Sequence, residues 1–422
     1  MAIPVGRRAP SWSSDRDGSL AELGTLHDVA AVRERCDMVY RWVADGRSPH
    51  FTLDESRLAA VAGYVADITR EAYPDLKIPY HSRWRHFAAG RVDRKGELDR
   101  RLKNGTDADR LRAHLDLAVI SVLLDAGAGS SWRYREPGTI DDYRRSEGLG
   151  VATICAFLAG AFSASPGEPM RVDAAALTDI DAATIGRWFQ VSADNPMVGL
   201  EGRTALLRRL GDVLETRPDR FGLISRPCAL FDPLLLNRTL SAPAILRAVL
   251  EGFGPIWRVT PAHGDAGDMR IHGDVWRHPH AGGSGPTAGF VPFHKLSQWL
   301  AYSLFEPFEW AGYTVIDRDA LTALPEYRNG GLLIDTGVLN LVNDADRSTV
   351  WDVGSEIIVE WRALTVNLVD ELAEAVRAEL ALPQLPLACV LEGGTWAAGR
   401  EFANQLRRGN PPLTVRSDGT VF

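Results

Sequence analysis

The feature that most constrains the fold is a segment near the C-terminus, residues 355–380, which contains neither glycine nor proline. Large apolar residues recur through it at intervals of three and four, a spacing that places them on one face of an α-helix. Shorter stripes of the same kind occupy residues 29–42, 58–68 and 107–125. Strand-like runs are few and short. The sequence therefore predicts a mainly α-helical fold with a minor β component.

Composition excludes several classes of protein. The chain has 422 residues, of which 45% are hydrophobic, so it can bury a large core. A formal net charge of −8 argues against a broad phosphate-binding surface, and we expect no nucleic-acid partner. No apolar run approaches the roughly 20 residues of a membrane span, and we expect no membrane association. Four scattered cysteines predict buried free thiols in a reducing compartment, which favours the cytoplasm.

Residues 1–23 are polar and rich in serine, aspartate and proline, so we predict an N-terminal tail there. The helical pattern that follows favours one unit over residues 24–422.

Lys295 and Glu326 are the leading catalytic candidates. Pro292 stands where a first helical turn accepts proline, and a helix starting there would place Lys295 among aromatic residues on one face. Thr322 and Pro325 resemble a second helix start, which leads into Glu326, Tyr327 and Arg328. A carboxylate, a lysine and an arginine could then converge. The alternative is a structural salt bridge between two helices.

A local positive cluster includes His81, Arg83 and Arg85. It could bind a phosphate or a ribose. It could equally be a solvated basic face that pairs with the charged run after it.

Further candidates lie beside glycines. Asp125 and Trp132 flank a glycine-rich break after a predicted helix, where Asp125 could cap a helix or bind a sugar hydroxyl. Glu392 and Trp396 adjoin a pair of glycines, which favours backbone approach to a small polar molecule over simple closure of the core.

Residues 263–280 hold four histidines and three aspartates, which are suitable metal ligands. The spacing matches no known metal motif, and we expect neither a metal nor a cofactor. Two glycine-flanked turns, at residues 148–150 and 199–202, could be helical hairpins.

These residues also carry a resemblance. From about Gly24 to the final SDGTVF, the chain resembles the uracil-catabolism protein family of fungi and bacteria, and the PYHSRWRHF run looks like a signature of that family. More distantly, it resembles the queuosine-nucleoside glycosylases, whose fold is similar to helix-hairpin-helix DNA glycosylases. Those proteins have an aromatic residue, a lysine and Ala-Gln, which Phe293, Lys295 and Gln298 match, with Ser297 in place of alanine.

Four other motifs of the queuosine-type proteins have counterparts here. Their Leu-Thr stretch ending in Asp-Tyr-Arg is matched by Leu321, Thr322, Glu326, Tyr327 and Arg328, with glutamate in place of aspartate. Their Leu-Asp-Ala segment and nearby tryptophan are similar to Leu124, Asp125, Ala126 and Trp132. Glu360 and Arg362 fall in their Glu-Ile-Arg-Ala run, and Glu392 and Trp396 fall in their Asp-x-x-Leu-Trp-x-x-Gly motif.

The resemblance implies a two-lobed, helix-hairpin-helix DNA-glycosylase-like catalytic unit. It implies hydrolysis of an N-glycosidic bond in a ribosylurea-like intermediate, with or without a 5′-phosphate, and release of urea. Catalysis would fall to Glu326 and Lys295. The substrate, a small nucleoside-like or nucleotide-like molecule, would contact the residues Glu392, Trp396, Tyr327, Arg328, Asp125, Trp132, His81, Arg83 and Arg85. Functional association with other uracil-catabolism enzymes is a further implication.

Two other functions are consistent with the sequence. Residues 332–337, LLIDTG, faintly resemble the loop that holds a pyrophosphorylated ribose, which would indicate a phosphoribosyltransferase acting on uracil. The other is a non-catalytic subunit that binds a nucleobase or nucleoside.

Overall fold

Helices dominate the structure, a computed structural model that describes residues 24–129, 131–257, 259–261 and 270–416. The predicted tail and part of the histidine-rich segment lie outside these residues. The α-helices are α1 (Val29–Ala44), α2 (Leu58–Ala72), α3 (Arg83–Phe87), α4 (Arg94–Arg101), α5 (Asp107–Leu123), α6 (Arg145–Leu158), α7 (Ala174–Asp179), α8 (Ala182–Trp188), α9 (Leu200–Thr216), α10 (Pro218–Phe221), α11 (Ala242–Phe253), α12 (Lys295–Trp310), α13 (Tyr327–Asp335), α14 (Glu356–Leu380), α15 (Leu387–Val390) and α16 (Trp396–Arg407).

Strands occur only as short pairs in the described part of the chain. Four pairs are antiparallel: β1 (Phe51–Leu53) with β10 (Leu339–Leu341), β2 (Arg133–Arg135) with β3 (Asp142–Arg144), β5 (Val259–Pro261) with β6 (Arg270–His272), and β7 (Val275–Arg277) with β8 (Phe290–Pro292). Two are parallel: β4 (Thr239–Ser241) with β9 (Thr314–Ile316), and β11 (Val350–Trp351) with β12 (Thr414–Val415). The prediction of a mainly α fold with a minor β component is confirmed.

The core forms around α12 and α14. The long helix α14 packs against α1, α2 and α13, while α12 packs against α5 and α11. The apolar stripe predicted for α14 is buried, including Ile357, Trp361 and Leu364. These helices bring residues from both ends of the sequence to one place.

Three local predictions were wrong. Pro292 ends β8, and α12 begins only at Lys295, after His294 with a left-handed backbone (φ 48°). Residues 148–150 lie inside α6, and Gly199 caps α9 while residues 200–202 belong to that helix. Leu332 to Asp335 are the end of α13, so the supposed ribose-phosphate loop is helical there.

Cys36, Cys228 and Cys389 are buried, Cys155 is half-buried, and all four are free thiols, as the sequence predicted. Among the described residues, no helix is long and apolar enough to cross a membrane.

Candidate functional site

A buried ion pair fixes the start of α12. Arg362 donates two hydrogen bonds to Asp274, at 2.8 and 2.6 Å, and the same carboxylate accepts the backbone N–H of Lys295 at 3.1 Å. Burial alone would raise the pKa of Asp274, but the attraction and hydrogen bonds of Arg362 outweigh it, so its pKa lies below the usual range. Asp274 is therefore an anion that holds the first residue of α12 in place.

Glu326 holds the start of α13. Its carboxylate accepts the backbone N–H groups of Arg328 and Asn329, each at 2.7 Å, as a helix N-cap does. Burial raises the pKa of Glu326, whereas these two hydrogen bonds and the charge of Lys295 counteract the rise. The carboxylate is thus rigidly oriented, and each oxygen can still accept another hydrogen bond.

Lys295 and Glu326 interact electrostatically, because each charge shifts the pKa of the other. Burial lowers the pKa of Lys295 first, the charge of Arg362 lowers it further, and Glu326, Asp274 and Asp125 oppose the change. Both residues keep part of their surface accessible although both are strongly desolvated.

Asp125 lies at the end of α5 and is held by Arg83. The fully buried Arg83 donates to Asp125 at 2.6 Å and to Ser121 at 2.7 Å, and the Ser146 hydroxyl donates to Asp125 at 2.5 Å. Asp125 caps no helix start. Arg83 is fully buried and paired with a carboxylate, so it is not part of a solvated basic face, and a phosphate contact of this residue stays a prediction.

A cavity of about 240 Å³ opens next to these residues. Glu392 Oε2 lies 2.7 Å from His81 Nδ1, and the Trp396 ring is 5.9 Å from the His81 ring. The lining residues are His81, Arg85, His86, Ala89, Gly90, Tyr143, Glu147, Glu392 and Trp396.

His86 and Trp299 connect the cavity to the Lys295 helix. The ring of His86 is 5.6 Å from Trp299 and 6.4 Å from Trp396, and its Nδ1 lies 2.9 Å from Arg83. Burial and the charge of Arg83 lower the pKa of His86, so its imidazole is neutral and accepts from Arg83. Trp299 Nε1 and one terminal nitrogen of Arg83 are buried without a hydrogen-bond partner among the described residues. Such donors are suited to a polar ligand.

The structure thus places the sequence candidates in three groups. Lys295, Glu326 and Asp125 form a charge cluster, and His81, Arg85, Glu392 and Trp396 line the adjoining cavity. Arg328 is buried near Glu326, donates to the Gly409 carbonyl at 3.3 Å and lies over the Tyr327 ring.

Trp132 departs from the prediction of a substrate contact. It is fully buried, and its indole N–H donates to the Phe189 carbonyl at 3.0 Å. Trp132 is therefore a core residue, because its only polar group, the indole N–H, already has a hydrogen-bond partner inside the protein.

Several residues at the site were not among the predicted ligands. His86 stands three residues after Arg83, a helical spacing that could have indicated it. Trp299 follows Lys295 by four residues and could have been included for the same reason. Ser146 and Glu147 carry no sequence signal, because they reach the site only through the packing of α6 against α3, and Tyr143 reaches it from β3.

Fold and site define a helical protein with an electrostatically interacting lysine and glutamate and a small, partly open cavity. The family model described as "Protein of unknown function (DUF1688)" matches residues 25–422. Uracil catabolism protein 4 of Lachancea kluyveri is 37% identical over 437 residues, covering 93% of this chain and 97% of that protein. Protein urg3 of Schizosaccharomyces pombe is 37% identical over 416 residues, covering 96% and 99%. The chain belongs to this family.

Proposed function

We propose that this protein acts in uracil catabolism as an N-glycosidase that cleaves ribosylurea or its 5′-phosphate and releases urea. The name of the Lachancea relative supports the pathway. The single observation that carries the reaction type is the electrostatic interaction of Lys295 with Glu326, on the helix whose Trp299 contacts the cavity residue His86. Hydrolysis of a glycosidic bond requires an acid and a base. Lys295 and Glu326 can take these two roles, because the pKa of each is shifted towards neutral pH.

Glu326 provides the negative charge. When the bond between the sugar C1′ and the urea nitrogen breaks, C1′ develops oxocarbenium character, which a fixed carboxylate stabilises. The two backbone N–H groups that hold Glu326 prevent it from turning away, so little reorganisation is needed during the reaction. The same carboxylate accepts a proton from the attacking water.

Lys295 provides the acid. Its ammonium donates a proton to the departing urea nitrogen, so urea leaves as a neutral molecule. Water forms the new C1′–O bond, and its proton on Glu326 returns to Lys295 to complete the cycle. In the net reaction, ribosylurea and water give ribose and urea.

The cavity residues bind the sugar in this proposal. Glu392, oriented by His81 and by Tyr73 at 3.3 Å, accepts hydrogen bonds from ribose hydroxyls. Trp396 supplies an apolar face, as aromatic side chains in ligand pockets commonly do. Asp125 is available to a second part of the substrate, with Arg83 as its positioning residue.

A 5′-phosphate would meet Arg85 at the cavity edge. This guanidinium is partly exposed and donates to Glu306 at 2.5 Å, while its Nε has no partner among the described residues. Burial raises the pKa of Glu306, so this carboxylate is easier to protonate when an anion competes for Arg85.

The proposal has four further parts. They are the helix-hairpin-helix topology, the two-lobed unit over residues 24–422, the cytoplasmic location and association with other enzymes of the pathway. Buried free thiols support a reducing compartment. The helical conformation of Leu332 to Asp335 weakens the phosphoribosyltransferase alternative.

Product analysis separates the candidate functions. The purified protein is incubated with ribosylurea, with ribosylurea 5′-phosphate, and with uracil plus phosphoribosyl pyrophosphate. We expect urea from at least one of the first two mixtures and no uridine monophosphate from the third. Formation of uridine monophosphate would establish the transferase, and binding without any product would establish the non-catalytic subunit.

A further inference from the structure

A second group of ligand-type side chains lies at the start of α14. Glu356 and Glu360 are one helical turn apart, and the Glu360 side chain is fully buried. His278, also fully buried, places Nε2 3.2 Å from Glu360 Oε2. One ligand atom from each of the three residues lies within 4.8 Å of the other two. None of them lines the cavity described above.

From this geometry we infer that His278, Glu356 and Glu360 form a binding site for a divalent metal ion, with Zn²⁺ as the best match. Zinc binds histidine nitrogen and carboxylate oxygen at about 2.0–2.2 Å in tetrahedral sites. Tetrahedral geometry then separates neighbouring ligand atoms by about 3.3–3.5 Å. The His278–Glu360 distance of 3.2 Å is close to this value.

The surroundings meet two further requirements of a metal site. The Ser48 hydroxyl donates to Oε1 of Glu360, which orients the carboxylate and leaves Oε2 directed at His278. Glu356 and the neighbouring His50 are partly exposed, and His50 Nε2 lies 3.8 Å from Glu356 Oε1. An ion can therefore arrive from solvent, and either His50 or water can complete four-coordination.

Metal binding would change the tautomer of His278. Without metal, Nε2–H of His278 donates to Glu360, and the backbone N–H of His280 donates to Nδ1 at 3.2 Å. Coordination through Nε2 would move the imidazole proton to Nδ1, so the backbone N–H of His280 would lose its acceptor there. The ring stays neutral, as a metal-bound histidine must.

The position of the site gives it a structural role. His278 directly follows β7, and Glu360 stands two residues before Arg362 on α14. A bound metal would connect the β7–β8 hairpin to α14. This connection would lie next to the Asp274–Arg362 pair, which holds the start of α12. The ion would therefore stabilise the fold around Lys295 without touching substrate.

Zinc titration of the full-length protein tests this inference. Chelator-treated and dialysed protein is titrated with ZnCl₂ by calorimetry, and bound zinc is counted by elemental analysis. We expect one Zn²⁺ per chain and a higher unfolding temperature in its presence, because a ligand that binds only the folded state stabilises it.

Variants locate the ion. Glu356→Gln, at a partly exposed position, should weaken zinc binding at least tenfold and leave the fold intact, and His278→Gln should abolish it. Glu379→Gln, an exposed glutamate on the same helix, should bind zinc like the wild type. Absence of stoichiometric binding by the wild type would overturn the inference. So would unchanged affinity in folded Glu356→Gln protein.

Discussion

At the scale of single residues, Glu326 combines two roles that are usually separate. As an N-cap it stabilises α13, a contribution typically near 1 kcal/mol. As a carboxylate next to Lys295 it is also the proposed catalytic group. The cap contacts favour the charged form, so they oppose the effect of burial on the pKa of Glu326 and fix the orientation of its carboxylate. Local structure and chemistry therefore depend on the same two hydrogen bonds.

The pKa shifts of the pair predict a narrowed pH–rate profile. The reaction requires ionised Glu326 and protonated Lys295. Burial raises the pKa of Glu326, so activity should fall on the acid side at a higher pH than an ordinary glutamate would give. Burial lowers the pKa of Lys295, so activity should fall on the alkaline side at a lower pH than an ordinary lysine would give.

Lys295→Met tests this assignment. It should reduce kcat and remove the alkaline limb of the profile while the acid limb remains. The rate is measured across the pH range for the wild type, for Lys295→Met and for Lys103→Met, which replaces an exposed lysine and should change nothing. An alkaline limb that survives in Lys295→Met protein would assign it to another group.

Arg83 should prove to be a positioning and stability residue. Arg83→Met leaves Asp125 buried without its cation, and loss of one partner of a buried pair costs roughly 3–5 kcal/mol. Denaturant unfolding should show this loss, whereas Arg100→Met, at an exposed site, should have almost no effect. Unchanged stability with weaker binding of only the phosphorylated substrate would instead make Arg83 a phosphate ligand.

At the scale of elements, the close contact of α13 with α16 controls the position of Glu326. A Cβ built on Gly399 would lie 2.0 Å from the Arg328 carbonyl oxygen, which is backbone and must shift. Gly399→Ala should therefore separate the two helices, destabilise the protein by about 1–3 kcal/mol and reduce activity. Gly63→Ala provides the control, because its Cβ meets nothing within 4 Å.

Thermal or denaturant unfolding of both glycine variants, with activity at a temperature where both are folded, measures this prediction. A Gly399→Ala protein as stable and active as Gly63→Ala would show that α13 and α16 can separate freely.

The sequence predicted most long elements and missed their junctions. The stripe in α14 and the helix α5 are visible because periodicity is local information. The start of α12 was misplaced because Asp274, a residue distant in sequence, accepts the backbone N–H of Lys295. Residues 148–150 looked like a turn, yet Gly150 lies inside α6, where a Cβ would come within 2.8 Å of the His86 side chain. Only tertiary packing shows that this glycine permits a close helix contact.

At the scale of the whole molecule, the site exists because distant segments of the chain meet. Glu326, Lys295 and Asp125 come from the ends of three helices, and Glu392 and Trp396 come from the C-terminal part. The sequence indicated these residues individually, mostly through resemblance. Their grouping around one cavity, the inward turn of Arg83 and the core position of Trp132 depend on long-range packing, which residue spacing does not encode.

The most direct test of the proposed function is the rate of urea release from ribosylurea, or its 5′-phosphate, by wild-type and Glu326→Gln protein. The amide keeps the size of the side chain but loses the charge, so we expect the rate to fall by about 10²–10³ while substrate affinity persists. Asp181→Asn, which alters the cap of α8 away from the cavity lining, should release urea normally and controls for a weakened helix cap. Urea release at a near-normal rate by folded Glu326→Gln protein would contradict the account, and so would a wild type that releases none.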